Sequence, residues 1–449
     1  MPVELSPSVL RGALRELGER EPGAERMVED VLSSIAGREE EHEPLVLSRY
    51  ELQLFLWYEM PRKWLAEFDG KRALVRALAS FLELAGEPVA RWAQVCRSPQ
   101  TDRLLGLWER EERDHARKLL RELLDSSGLE PPETELLQWG SVMGPVEAIA
   151  HRNVAYTLEE AVEDGRLVPG SRAFKRRQSE LVVSVLSEPS QELDGRTMID
   201  AIRQERFERW ARRGSPQHSH IIGGIADLLQ APAPGADYQG ALEPLRWLLD
   251  QASGDGIALT QTHALNRALV HAAVERFPNW WNSELFAPPP REAELGALCE
   301  VHDLARRMRL LRRTGRRLVL TARGGALRSY HRGLFEAVAR NVLAEEGFAA
   351  AVQELAAAIL LREGEIDWEK LDRTVHGAIV SDGWHAEGAP PSIRAIRSTI
   401  AELVWPARAL GLIAYDRGAL DGRLSLTESG HSALHIALHT RAAGPAGYP

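Results

Sequence analysis

The string Leu-x-Leu-Thr-x-x-Gly occurs twice in the second half of the chain, at Leu318–Gly324 and Leu424–Gly430, 106 residues apart. Each copy follows an apolar helical stretch ending in two aliphatic residues, Leu310-Leu311 and Leu412-Ile413, and then a glycine-containing turn. Alternate leucines bury one face of a short strand. The threonine after the strand suits a helix N-cap, because its hydroxyl accepts one of the N–H groups left unpaired in the first turn. Gly315, Gly418 and Gly422 suit the tight turn between two strands. The spacing fits one small module plus a connector, so the pattern predicts a duplicated unit of helices followed by a hairpin.

The copies differ in charge. Between Leu304 and Arg328 stand nine arginines and no acidic residue. Eight of them are candidate contacts to a polyanion: Arg306, Arg307 and Arg309 on the helix, Arg312, Arg313, Arg316 and Arg317 on the hairpin, and Arg323 beyond it. Guanidinium groups suit both phosphates and guanine edges. The second copy carries Arg417 and Arg423 against Asp416, Asp421 and Glu428. It is nearly neutral and is assigned to packing, self-association or contact with a protein partner. Of 55 basic residues only five are lysine, the mark of a GC-rich bacterial coding bias, so arginine content alone does not signal phosphate binding. The local density does, set against a net charge of -10 that excludes a protein coating nucleic acid with its whole surface.

At 449 residues the chain is too long for one ordinary core, and 44% hydrophobic with 27% charged residues is a globular composition. The first 230 residues read as helical. The stripe Leu52, Phe55, Leu56 is expected to stop at Pro61. A second helix opens near Asp69 and ends at Gly86, and a third runs from Thr101 to Leu124. Further helices are expected at 145–164, 173–186 and 195–213. The tryptophans Trp57, Trp64, Trp92, Trp108, Trp139 and Trp210 read as core anchors. Residues 231–255 read as a connection with one short helix. Modules are expected at 256–333 and 345–443. No signal peptide or membrane-spanning run is visible, so a cytoplasmic protein with no membrane partner is expected.

Other constellations are weaker. Glu112 and His115 have the spacing used by helical di-metal sites, with Glu147 and His151 as further candidates. No second Glu-x-x-His occurs, and the segment reads as a solvated helix face. His218-Ser-His220 reads as a loop. The acidic run Arg38–Glu43 reads as solvated. Cys96 and Cys299 read as buried small hydrophobes. No phosphate-binding glycine loop, nucleophile elbow or Cys-x-x-Cys occurs. No catalytic residue, metal or cofactor is assigned; a metal-dependent helical enzyme is the third class considered.

A helix ending in Leu-Leu, a glycine turn and Leu-x-Leu-Thr-x-x-Gly resembles the wing of bacterial winged helix-turn-helix domains. Leu259-Thr-Gln-Thr-His-Ala-Leu-Asn-Arg-Ala-Leu269 looks like the strand and first helix of such a domain. With Trp280-Trp281 and 291–327, the region resembles winged-helix-like parts of uncharacterised actinobacterial proteins. The expected fold is mainly α: a helical N-terminal domain, then two winged-helix-like modules, each α with a small β-hairpin. The resemblance implies DNA binding or regulation, with the helix before the basic hairpin in the major groove and the hairpin on the backbone. The alternative is a protein-interaction scaffold with no nucleic-acid role.

Overall fold

The computed structural model describes residues 2–36, 44–64, 67–238, 240–281, 286–386, 388–416 and 422–445. The run Arg38–Glu43 and Arg417, Gly418 and Asp421 lie outside the described residues. The protein is mainly helical, with small antiparallel sheets, and divides into two compact units, residues 1–205 and 206–449.

The first unit is built from helices around several apolar clusters. Trp57 and Trp92 are buried within it, while Trp64, Trp108 and Trp139 are half-buried. Pro61 does not stop its helix. The chain runs from an α-helix at Arg49–Leu54 through a π turn at Phe55–Glu59 into a further turn at Met60–Lys63. Proline has no N–H to offer the carbonyl of Trp57 four residues back. The indole N–H of Trp108 takes that carbonyl instead, at 3.2 Å. The helix expected over Thr101–Leu124 is two, Pro99–Glu109 and Arg113–Ser127, because Glu111 has a positive φ of 57°. The remaining helices fall at Phe68–Ala85, Pro145–Glu163, Phe174–Ser187 and Met198–Ala211, close to expectation.

The second unit contains nearly the same element order twice, with one long helix closing the second repeat where two short ones close the first. In the first repeat the elements are α1 (Glu243–Gln251), β1 (Ile257–Ala258), α2 (Arg267–Arg276), α3 (Gly296–Arg307), β2 (Leu311–Thr314), β3 (Arg317–Leu320), α4 (Ala322–Arg328) and α5 (His331–Arg340). The second has α6 (Gly347–Glu363), β4 (Glu365–Asp367), α7 (Trp368–Ser381), α8 (Ile393–Ala409), β5 (Ile413–Asp416), β6 (Arg423–Leu426) and α9 (Glu428–Ala443). The sheets have matching antiparallel orders, β1-β3-β2 and β4-β6-β5. Leu318 pairs with both Ile257 and Arg313, and Leu424 with both Ile366 and Tyr415. Both central leucines are buried, as alternation requires.

The expected connection at 231–255 holds its short helix in α1, whose Leu245, Leu248 and Leu249 are buried in the core of this unit. The string from Leu259 to Leu269 runs from the end of β1, where the Leu259 N–H donates to the Arg316 carbonyl at 2.8 Å, into the start of α2. Thr260 accepts the N–H of Ala264, making a turn, and Asn266 then caps α2, the second helix of the repeat.

Candidate nucleic-acid interface

The threonine-glycine part of the repeated string closes both hairpins by the same contacts. The Thr321 hydroxyl oxygen accepts the N–H of Gly324 at 2.9 Å, and that of Thr427 accepts the N–H of Gly430 at 3.0 Å. Each hydroxyl donates in turn to a carbonyl at the end of the preceding helix, Arg309 at 2.7 Å and Gly411 at 2.9 Å. A Cβ at Gly324 would fall on the carbonyl oxygen of Leu310, and one at Gly430 on that of Leu412. The glycine is therefore required by close approach of two backbones. Across the first hairpin the turn is Gly315-Arg316, with Gly315 at φ 59° in the first central position.

The helix ends also correspond. Leu310 N–H returns to Ala305 and Arg309 N–H to Arg306, each at 2.9 Å, while Leu412 N–H returns to Ala407 at 2.8 Å and Gly411 N–H to Arg408 at 3.0 Å. This closure needs one left-handed residue after the helix. The second repeat uses Gly411 at φ 75°, whereas the first uses Arg309 at φ 55°. An L-residue there costs about 1–2 kcal/mol.

All eight candidate arginines are exposed. Arg312, Arg313, Arg316 and Arg317 stand on β2, β3 and the turn between them, and Arg323 in the first turn of α4; Arg309, expected on the preceding helix, lies beyond its end at the hairpin root, where its positive φ takes it out of the helix. Among the described residues no carboxylate forms an ion pair with any of the eight. Arg317 donates instead to the backbone carbonyl of Asp255 at 2.7 Å. The ninth arginine, Arg328, is paired with Asp250 at 3.0 Å.

The second hairpin is electrically different. Arg423, the counterpart of Arg317 in the leucine register, pairs with Glu365 at 2.7 Å and Asp367 at 3.4 Å. These carboxylates lift its pKa further above its ordinary value. Aligning Ile257 with Ile366 places Gly256 and Ala258 where the second repeat has Glu365 and Asp367. The first hairpin therefore lacks the acids that neutralise the second.

The helix α3 is less free than its hairpin. It packs against α8 of the second repeat. Its middle carries Glu300 and exposed Asp303, so its basic surface is confined to Arg306 and Arg307 in the last turn. Buried Glu292 fixes the entry to α3 by joining His302 Nδ1 at 2.7 Å and the N–H of Leu265 at 2.6 Å.

The remaining candidates are engaged elsewhere. Glu112 sits at the helix break, bonded to Arg110 at 2.7 Å and His115 at 3.3 Å. Glu147 is buried and accepts the N–H of Gly140 at 2.7 Å. Burial pushes His151 down to about 4, against a smaller opposing effect of Glu147. His218 lies not in a loop but on a helix, Pro216–Gly223, capped by Ser215, and its Nδ1 is 2.6 Å from Asp382. Burial raises Cys96 to about 12 and half-buried Cys299 to about 11. Among the described residues no group of three or more His, Cys, Asp or Glu could hold a metal, and no helix is long and apolar enough to cross a membrane.

Residues 242–333 match the family described as the Y4jL N-terminal domain. The match begins at the residue before α1, ends within α5, and includes the whole basic hairpin. Neither a curated protein nor a solved structure matches the chain.

Proposed function

We propose that residues 243–443 form two winged-helix-like modules and that the wing of the first binds duplex DNA through its phosphates. The observation carrying this reading is the charge asymmetry between two hairpins whose strands share a register and whose ends are closed by the same contacts. Arg423 is neutralised by Glu365 and Asp367, whereas Arg312, Arg313 and Arg316 face solvent with no carboxylate. An unneutralised basic hairpin is a phosphate-binding surface. With α3 packed on α8 and acidic along its middle, the contact lies with the wing and the basic last turn. Binding is then largely independent of base sequence, and the protein is a cytoplasmic DNA-binding or regulatory protein.

The test is a salt-titrated affinity measurement on random duplex DNA. Replacing Arg312, Arg313, Arg316 and Arg317 by alanine abolishes the mobility shift at physiological salt and, at the low salt where binding is still measurable, flattens the log–log salt slope by up to about 3.6, since each phosphate engaged contributes about 0.9. Unchanged binding by that variant removes the wing from the account. It would favour the second reading, a protein-interaction scaffold, for which the neutral second hairpin speaks.

A further inference from the structure

We propose that the cleft between the two repeats binds a basic, extended peptide segment of a partner protein. The cleft encloses about 1700 Å³. Sites for single small molecules run to roughly 300–1,000 Å³, so this one has room for a length of chain. On one side stand Phe277, Trp280, Trp281 and Phe286, and on the other Trp405 of α8 and Tyr415 of β5. Phe286 is 60% and Trp405 36% exposed, Trp280, Trp281 and Tyr415 are half-buried, and exposed aromatics at the mouth of a cleft are the composition of a recognition surface.

Charge identifies the occupant. Glu294, Glu300 and Glu428 line the cleft, and among the described residues none of them forms an ion pair. Partial burial, with Asp303 nearby, holds the Glu300 carboxyl above its ordinary pKa despite the opposing charge of Arg307, and an incoming cation relieves the remaining cost. The cleft already shows the chemistry it offers. The Arg408 guanidinium lies 5.8 Å from the ring centres of both Trp405 and Tyr415. An arginine of a bound peptide finds the same kind of aromatic face at Trp281 and Phe286, with carboxylates in reach. Such a lining repels phosphate, so this site is separate from the basic wing.

The full chain is titrated calorimetrically with a short peptide of alternating arginine and alanine, a glutamate–alanine peptide of equal length, and spermidine. The basic peptide binds and the acidic one does not. Affinity for the basic peptide falls roughly tenfold or more when Glu294→Gln, Glu300→Gln and Glu428→Gln are combined. It also falls in Phe286→Ala, a surface change that leaves folding intact. The four-arginine wing variant binds the peptide as well as the wild type does, so failure here and failure of the DNA reading are distinguishable. No binding of the basic peptide, equal binding by the cleft variants, or spermidine binding as tightly as the peptide would each overturn the proposal.

Discussion

Arg309 occupies a backbone position that its counterpart gives to glycine, and Arg309→Gly makes the consequence measurable. The residue sits at φ 55° after α3, with Gly411 at φ 75° in the same hydrogen-bonded closure after α8. Relieving the left-handed strain of an L-residue gains about 1–2 kcal/mol. The added freedom of glycine in the unfolded chain takes back about 0.4–1 kcal/mol. The net expectation is a stabilisation of about 0.5–1 kcal/mol, or roughly 2–3 °C in the melting of a unit this size. Scanning calorimetry of the full chain reads the stability, and a salt titration on duplex DNA reads the function. If Arg309 engages a phosphate, its loss lowers the salt slope by about 0.9. Arg309→Ala separates the two effects: it removes the charge but retains a left-handed L-residue, so it loses slope without gaining stability. A lower melting temperature for Arg309→Gly would refute the strain argument. An unchanged slope in both variants would remove Arg309 from the phosphate surface. The pairing of strain with a local charge is what a site retained for binding rather than stability looks like.

Gly324→Ala and Gly430→Ala drive a methyl group onto the carbonyls of Leu310 and Leu412, and each should cost about 2–3 kcal/mol in denaturant unfolding. Glu354, buried in α6, accepts from Trp210 Nε1 at 2.6 Å and pairs with Arg441 at 3.2 Å and with Arg213; Glu354→Ala should destabilise the second unit by about 3 kcal/mol, read by thermal unfolding. His151 is held near 4 against 6.5 when free, so between these values the unfolded chain binds more protons and stability falls as pH drops from 6.5 to 4. His151→Gln should flatten that part of the unfolding-versus-pH curve, and an imidazole that titrates at 6.5 by nuclear magnetic resonance would contradict it.

The local parts of this fold were legible in the chain. A threonine cap, the glycine three residues after it and the alternating leucines each act within a few residues, so the repeated string exposed both hairpins. Arg309 is legible as a basic candidate but its left-handed backbone is not read from the string alone, although a signal exists: aligning Leu310 with Leu412 sets Arg309 against Gly411. Other features depend on distant partners. Nothing near Pro61 announces that the Trp108 indole will satisfy the Trp57 carbonyl and let the helix continue. The neutralisation of Arg423 comes from Glu365 and Asp367, well before it in the chain. The covering of α3 by α8 joins two repeats through tertiary packing alone, and that contact shifts the weight of the candidate site from the helix to the wing. His218 reads as a loop residue because Pro216 and the Gly223-Gly224 pair look like breakers, whereas Ser215 and Pro216 together start a helix.

The asymmetry between the hairpins is tested most directly by measuring duplex DNA affinity, at several salt concentrations, for two variants side by side. Arg312, Arg313 and Arg316 changed to alanine should lose binding and most of its salt dependence, while Arg423→Ala should bind as the wild type does. Equal loss in both, or loss only in Arg423→Ala, would contradict the assignment of the phosphate surface to the first wing.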